Sequence, residues 1–100
     1  MQIQLNTDHN VHRDPSVERH VEQTVTSALE RFGDRITRVE VHLRDENGPR
    51  GGEQDQVCTM EARPSGHQPV AVTDKAATIA AAVTGAARKL QHVLANSLSH

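Results

Sequence analysis

The sequence predicts an α+β domain, a two-layer sandwich in the order β-α-β-β-β-α with both helices on one face of a four-stranded sheet. Three observations predict it. Several segments alternate apolar and polar residues, the two-residue period of a half-buried strand. Two others carry apolar residues at three- and four-residue steps, the mark of a helix with one buried stripe. Every element has a single apolar face, and the economical way to bury them all leaves the far side of the sheet wet.

The elements follow in order. Met1-Gln-Ile-Gln-Leu5 alternates, with Met1, Ile3 and Leu5 on the core side. Asn6 to His12 reads as a polar loop. Asp14-Pro15 starts a helix: a capping carboxylate, then proline at the first helical position, where its missing N–H costs nothing. Val17, Val21, Thr24, Val25, Ala28, Leu29 and Phe32 mark its buried face, and Gly33 is the expected stop, because glycine tolerates the left-handed conformation there.

Ile36 to Arg44 is the clearest strand, with Val39, Val41 and Leu43 on one face and Arg38, Glu40, His42 and Arg44 on the other. Asp45 to Asp55, with Gly48-Pro49 and Gly51-Gly52, predicts a long, mobile loop. Gln56 to Arg63 is a third strand: Cys58, Met60 and Ala62 face one way, Val57, Thr59, Glu61 and Arg63 the other. Pro64-Ser65-Gly66 turns the chain into a short strand through Val70 and Val72. Thr73 or Asp74 is the expected cap of the last helix, whose stripe is Ala76, Ile79, Ala80, Val83, Ala86, Ala87, Leu90, Val93 and Leu94. So alanine-rich a stripe lets the helix lie close to a flat partner, the sheet. Without its first strand the order would be α-β-β-β-α, that of a double-stranded-RNA-binding domain.

One hundred residues make one domain, 1–100. Phe32 is the single aromatic residue, so the core is built of Val, Leu, Ile, Ala and Met. The same scarcity argues against a module that grips single-stranded nucleic acid by stacking bases on an aromatic platform. The net charge of −2 announces no nucleic-acid binder, but its distribution is uneven. Residues 1–61 hold 7 Lys/Arg and 12 Asp/Glu, whereas residues 62–100 hold Arg63, Lys75, Arg88 and Lys89 against Asp74 alone. Any attraction for phosphate is therefore local to the C-terminal part.

Cys58 is alone, so no internal disulfide forms. No signal peptide or stretch of about 20 apolar residues is visible, and the expected location is the cytoplasm. Cys58 on an apolar strand face reads as packing, because no base is placed to activate it. His9 and His12 lie in a predicted loop without further ligands around them, so no metal is expected. Gly51-Gly52 lacks the following Lys-Ser/Thr of a phosphate loop. No pair of acids is forced together by periodicity, so glycosidase or protease chemistry has no support, and no small-molecule substrate is expected.

Two basic groupings stand out. Arg88, Lys89 and His92, with Lys75 before them, form either a phosphate-binding edge or a solvated helix end whose cations suit the helix dipole. Arg38, His42, Arg44 and Arg63 form a strip on the open sheet face, where Glu40 and Glu61 interleave and cross-strand ion pairing is the expectation.

The sequence resembles the ribosome hibernation-promoting factors, also called ribosome-associated inhibitors or sigma-54 modulation proteins. The resemblance is carried by Met1-Gln-Ile-Gln-Leu5, Arg35 to Leu43 with Asp45-Glu-Asn47 after it, Cys58-Thr-Met-Glu-Ala-Arg63, Gln68-Pro-Val-Ala-Val-Thr73, and Ala82-Val83 through Ala87-Arg-Lys-Leu90. It implies a short-form family member, with no catalysis, cofactor or metal. Its partner would be the small ribosomal subunit and its 16S rRNA. In stationary phase or stress it would occupy the channel of messenger and transfer RNA, and so inhibit translation.

The resemblance assigns contacts with rRNA phosphates to basic residues of the helices and neighbouring surface. The candidates here are Arg63, Lys75, Arg88, Lys89 and His92, with Lys89 matching the family's lysine before leucine. One departure is visible. The first helix mixes Glu18, Arg19, Glu22, Glu30 and Arg31, and Ala81, Thr84 and Gly85 take expected outward positions of the second helix where the family carries cations. The alternative is a regulatory protein-interaction module of the same fold, with the open sheet face or a strand edge as its contact, a homodimer included.

Overall fold

The computed structural model describes residues 1–46 and 55–98. Its elements are β1 (Gln2–Thr7), α1 (Pro15–Leu29), a 3-10 segment (Glu30–Arg35), β2 (Ile36–Asp45), β3 (Gln56–Pro64), β4 (Val70–Ala76) and α2 (Ile79–Ser97). The sheet order is β1-β2-β3-β4, with β1 parallel to β2 and the other pairs antiparallel. This is the predicted two-layer sandwich. The part of the predicted loop that spans 47–54 lies outside the described residues.

One core joins the layers. Val21, Val25 and Leu29 of α1 and Ala82, Val83, Ala86, Ala87, Leu90 and Leu94 of α2 pack with Leu5, Val39, Val41, Leu43, Cys58, Met60 and Ala62 of the sheet. Phe32 closes it at the end of α1. Ala82, Ala86 and Ala87 of α2 are buried to within 2% exposure, which is the close approach the stripe required. Met1, expected on the core side, is 46% exposed, because β1 and its pairing with β2 begin one residue later.

The two helix starts differ. At α1 the N–H groups of Ser16 and Val17 donate to Asp14 Oδ1 (2.9 and 3.0 Å), with Pro15 at the first position, as read from sequence. At α2 neither Thr73 nor Asp74 is the cap. The alternation beginning at Val70 continues through Ala76, so both residues lie within β4 and pair with Thr59 and Cys58. Thr78 is the cap, accepting from the Ala81 N–H (3.1 Å). Ala76 therefore belongs to the strand, and Ala80 is exposed.

The α1 ending is also longer than predicted. The helix gives way to the 3-10 segment at Glu30, and Gly33 (φ 54°) sits inside that segment rather than directly after the helix. Arg35 then ties this corner to the end of α2 by donating to the Leu98 carbonyl (2.7 Å).

Candidate functional site

Register decides where each candidate cation lies. On β3, Cys58, Met60 and Ala62 face the helices, so Val57, Thr59, Glu61 and Arg63 face the open side. Pairing with β4 places Thr73 and Lys75 on that open side and turns Asp74 toward α2. Arg63 and Lys75 are therefore sheet-face residues, whereas Arg88, Lys89 and His92 are exposed positions of α2. The five do not share one surface.

Several of these cations are engaged within the chain. Lys75 Nζ lies 3.3 Å from Glu46 Oε1, and Arg44 also reaches Glu46 at 3.3 Å. Lys75 and then Arg44 hold the Glu46 carboxyl below its ordinary pKa of 4.5. Arg63 pairs with Glu61 at 3.3 Å. Lys89 Nζ sits 2.9 Å from Asp74 Oδ1 and donates to the Thr73 carbonyl at 2.9 Å. Among the described residues Arg88 makes no hydrogen bond or ion pair.

Gly85 explains how Lys89 is held. The expectation placed Gly85 outward, but a Cβ there would overlap the Asp74 carboxylate. The carboxylate occupies the space a side chain would fill, one helical turn before Lys89, and the lysine closes over it. Asp74 also lies beside Cys58, its partner across the ladder. Burial first, and the Asp74 charge second, push the Cys58 thiol up to about 12. A thiol so rarely ionised is a packing group, as its strand face implied.

The helix layer carries a groove of about 440 Å³ between α1 and α2, in which Ala28 and Ala87 lie among the polar side chains of Thr24, Thr84, Arg88 and Gln91. Gln91 spans the helices by donating to the Ala28 carbonyl (3.0 Å). Hydroxyl and amide groups with one guanidinium suit a polar, anionic partner. Sequence reasoning did not find this groove, since helical periodicity places residues on a face but does not fix the partner helix. Its sequence signal is the run of Thr and Ser along α1 facing an acid-free α2.

Across β2 and β3 the open face is organised by like charge. Arg38 stands opposite Arg63, and Glu40 opposite Glu61. The expected cross-strand ion pairs do not form. Pairing runs along each strand instead: Arg38 to Glu40 at 2.8 Å and Arg63 to Glu61 at 3.3 Å. Arg38 also binds Gln4 of β1. Val57, at 1% exposure, breaks the polar pattern of this face, between Arg44 and Lys75 in its row.

Fold and surface together define a two-layer α+β sandwich with a groove of mixed apolar and polar lining on its helix layer and a charged open sheet. The model of the Sigma 54 modulation protein / S30EA ribosomal protein family matches residues 5–97, and the chain belongs to that family. Comparison with curated proteins finds no match. Among solved structures, a ribosomal subunit interface protein from Coxiella burnetii is similar at 14% identity and a TM-score of 0.81, over 100% of both chains. The N-terminal domain of Thermus thermophilus Protein Y is similar at 20% identity and a TM-score of 0.78, over 97% of this chain and 99% of that one. These likenesses establish the shared fold. Among the described residues no helix is long and apolar enough to cross a membrane.

Proposed function

We propose that this protein is a ribosome-associated factor of stationary phase or stress that binds the small subunit and inhibits translation by occupying the messenger and transfer RNA channel. The observation that carries the reading is the family match across residues 5–97. The likeness to a protein named for the ribosomal subunit interface supports it. Binding would work by occupancy, through 16S rRNA phosphates and shape rather than base edges, and would need no catalytic group.

The helix layer is the better surface for that contact. Between Ile79 and Ser97, α2 has no acidic residue, and Arg88, unpaired among the described residues, stands beside a groove whose polar groups are hydroxyls and amides. His92 follows one turn later, and Lys89 contributes only where RNA competes it away from Asp74. Arg63 and Lys75, on the other side of the sheet, would serve a second, weaker contact. The test is cosedimentation with salt-washed small subunits. Binding is expected at low salt and release at high salt. Arg88→Gln lowers the slope of log affinity against log salt by about one unit. A folded protein that binds at neither salt overturns the reading.

One observation favours a second reading. Lys75, Lys89 and Arg63 each lie against a carboxylate of the same chain, which lowers their value to RNA. A regulatory module that kept the fold and lost the ribosome would look this way. It predicts no subunit cosedimentation, and binding to a protein partner through the open sheet or an edge strand.

A further inference from the structure

The in-register like charges of the open face cost the isolated chain free energy, since matched charges directly opposite across a ladder repel. The relief within the chain is partial. Arg63 uses Nε and Nη2 on a single oxygen of Glu61, Oε1. Arg38 Nη2 uses Oε1 of Glu40, whose Oε2 has only His42 Nε2 at 3.8 Å. A carboxylate can accept a guanidinium on both oxygens, so each glutamate retains capacity for a second arginine. The face thus shows one row of two arginines beside one row of two glutamates, about 7 Å apart along the strands.

We propose that this face docks a second copy of the chain, about a two-fold axis that lies across the strands between the arginine and glutamate rows. That rotation brings Arg38 and Arg63 of each copy over Glu40 and Glu61 of the other. An axis along the strands would stack arginine on arginine and is disfavoured. Two-fold docking requires a self-complementary patch, and two adjacent rows of opposite sign are such a patch. The neighbouring row of His42, Thr59 and Thr73 is polar and carries no carboxylate, with the two threonines hydrogen-bonded at 3.0 Å. RNA is a poorer occupant, because the glutamate row would face its phosphates. The helices lie on the far side of the sheet, so docking leaves their groove open and does not depend on what the groove binds.

The experiment uses sedimentation velocity on the full chain up to millimolar concentration. At low salt the average mass of the wild type rises with concentration toward twice the monomer mass, and high salt returns it to the monomer. Two charge-swapped variants, R38E/R63E and E40R/E61R, each remain monomeric because both rows then carry one sign. Mixed in equal amounts they associate more tightly than the wild type. Thermal melts check that each variant is folded. Should either fail, Glu61→Gln weakens self-association, and amide shifts of the wild type on dilution fall on β2 and β3 rather than on α1 and α2. A wild type that stays monomeric at every concentration overturns the proposal. So does association that survives both swaps, or dilution shifts confined to the helices.

Discussion

On the helix side of β3, Cys58, Met60 and Ala62 are fully buried; on the open side of the same strand, Thr59 is half-buried and Arg63 exposed. The first side is held by dispersion and the removal of apolar surface from water, which are non-directional and depend on volume. The second is held by charges, whose effect depends on which residue stands opposite and at what distance. Two residues adjacent in sequence can therefore differ widely in what they contribute. The helix side makes the fold, and the open side gives it a surface that can meet a partner.

The strongest test of that contrast compares neighbours. Met60→Ala should destabilise by about 2–5 kcal/mol, from lost transfer energy plus the cavity left between sheet and α2. Thr59→Ala, one residue away and facing out, should stay within about 0.5 kcal/mol after losing its hydrogen bond to Thr73. Chemical denaturation of both variants measures the two values. Similar losses would mean that the open face is more constrained than its exposure indicates.

The edge where α2 meets β4 mixes both kinds of interaction, and Gly85 probes it. Glycine to alanine in a helix interior ordinarily gains about 1 kcal/mol. Here Gly85→Ala should lower stability, because the new Cβ displaces the Asp74 carboxylate from beneath Lys89. In an Asp74→Ala background the same substitution should recover the ordinary gain. A reversal of sign between backgrounds is the expected result of thermal melts. A gain in both would show that Asp74 relocates without loss, and that Lys89 is available to other partners.

The same division explains what the sequence made legible. Periodicity located every strand and both helices, since one buried face imposes a two- or 3.6-residue period. Asp14-Pro15 marked a helix start because the two residues act locally. The start of α2 was harder: Thr73, Asp74 and Thr78 are all acceptable caps. Only the continued alternation of Val70, Val72, Asp74 and Ala76 carries the strand past the first two. The candidate site was less legible than the fold. Lys89 reads as an exposed helix cation until β4 turns Asp74 toward Gly85. Arg38 and Arg63 read as members of cross-strand ion pairs until the register sets them side by side and leaves each to a glutamate of its own strand. Those facts belong to pairing between distant segments, which no local pattern encodes.

The smallest expected effect concerns acid, and it separates local contacts from tertiary ones. The Ser16 hydroxyl, then the Val17 N–H, hold the Asp14 carboxyl below its ordinary value of 3.8. Lys75, then Arg44, do the same for Glu46 below 4.5. A carboxyl whose pKa falls on folding contributes stability above its unfolded value and loses it as pH drops through the folded one. Both contributions are thus present at neutral pH and fade below about pH 4, where the unfolded chain binds protons more readily. Salt distinguishes them. The Glu46 contribution rests on exposed ion pairs and should shrink at high ionic strength, whereas the Asp14 cap rests on short hydrogen bonds within one helical turn and should persist. Acid titrations of stability for Glu46→Gln and Asp14→Asn, each at low and high salt, measure this. If high salt erased the Asp14 contribution as fully as that of Glu46, the cap would be acting through charge rather than through its hydrogen bonds.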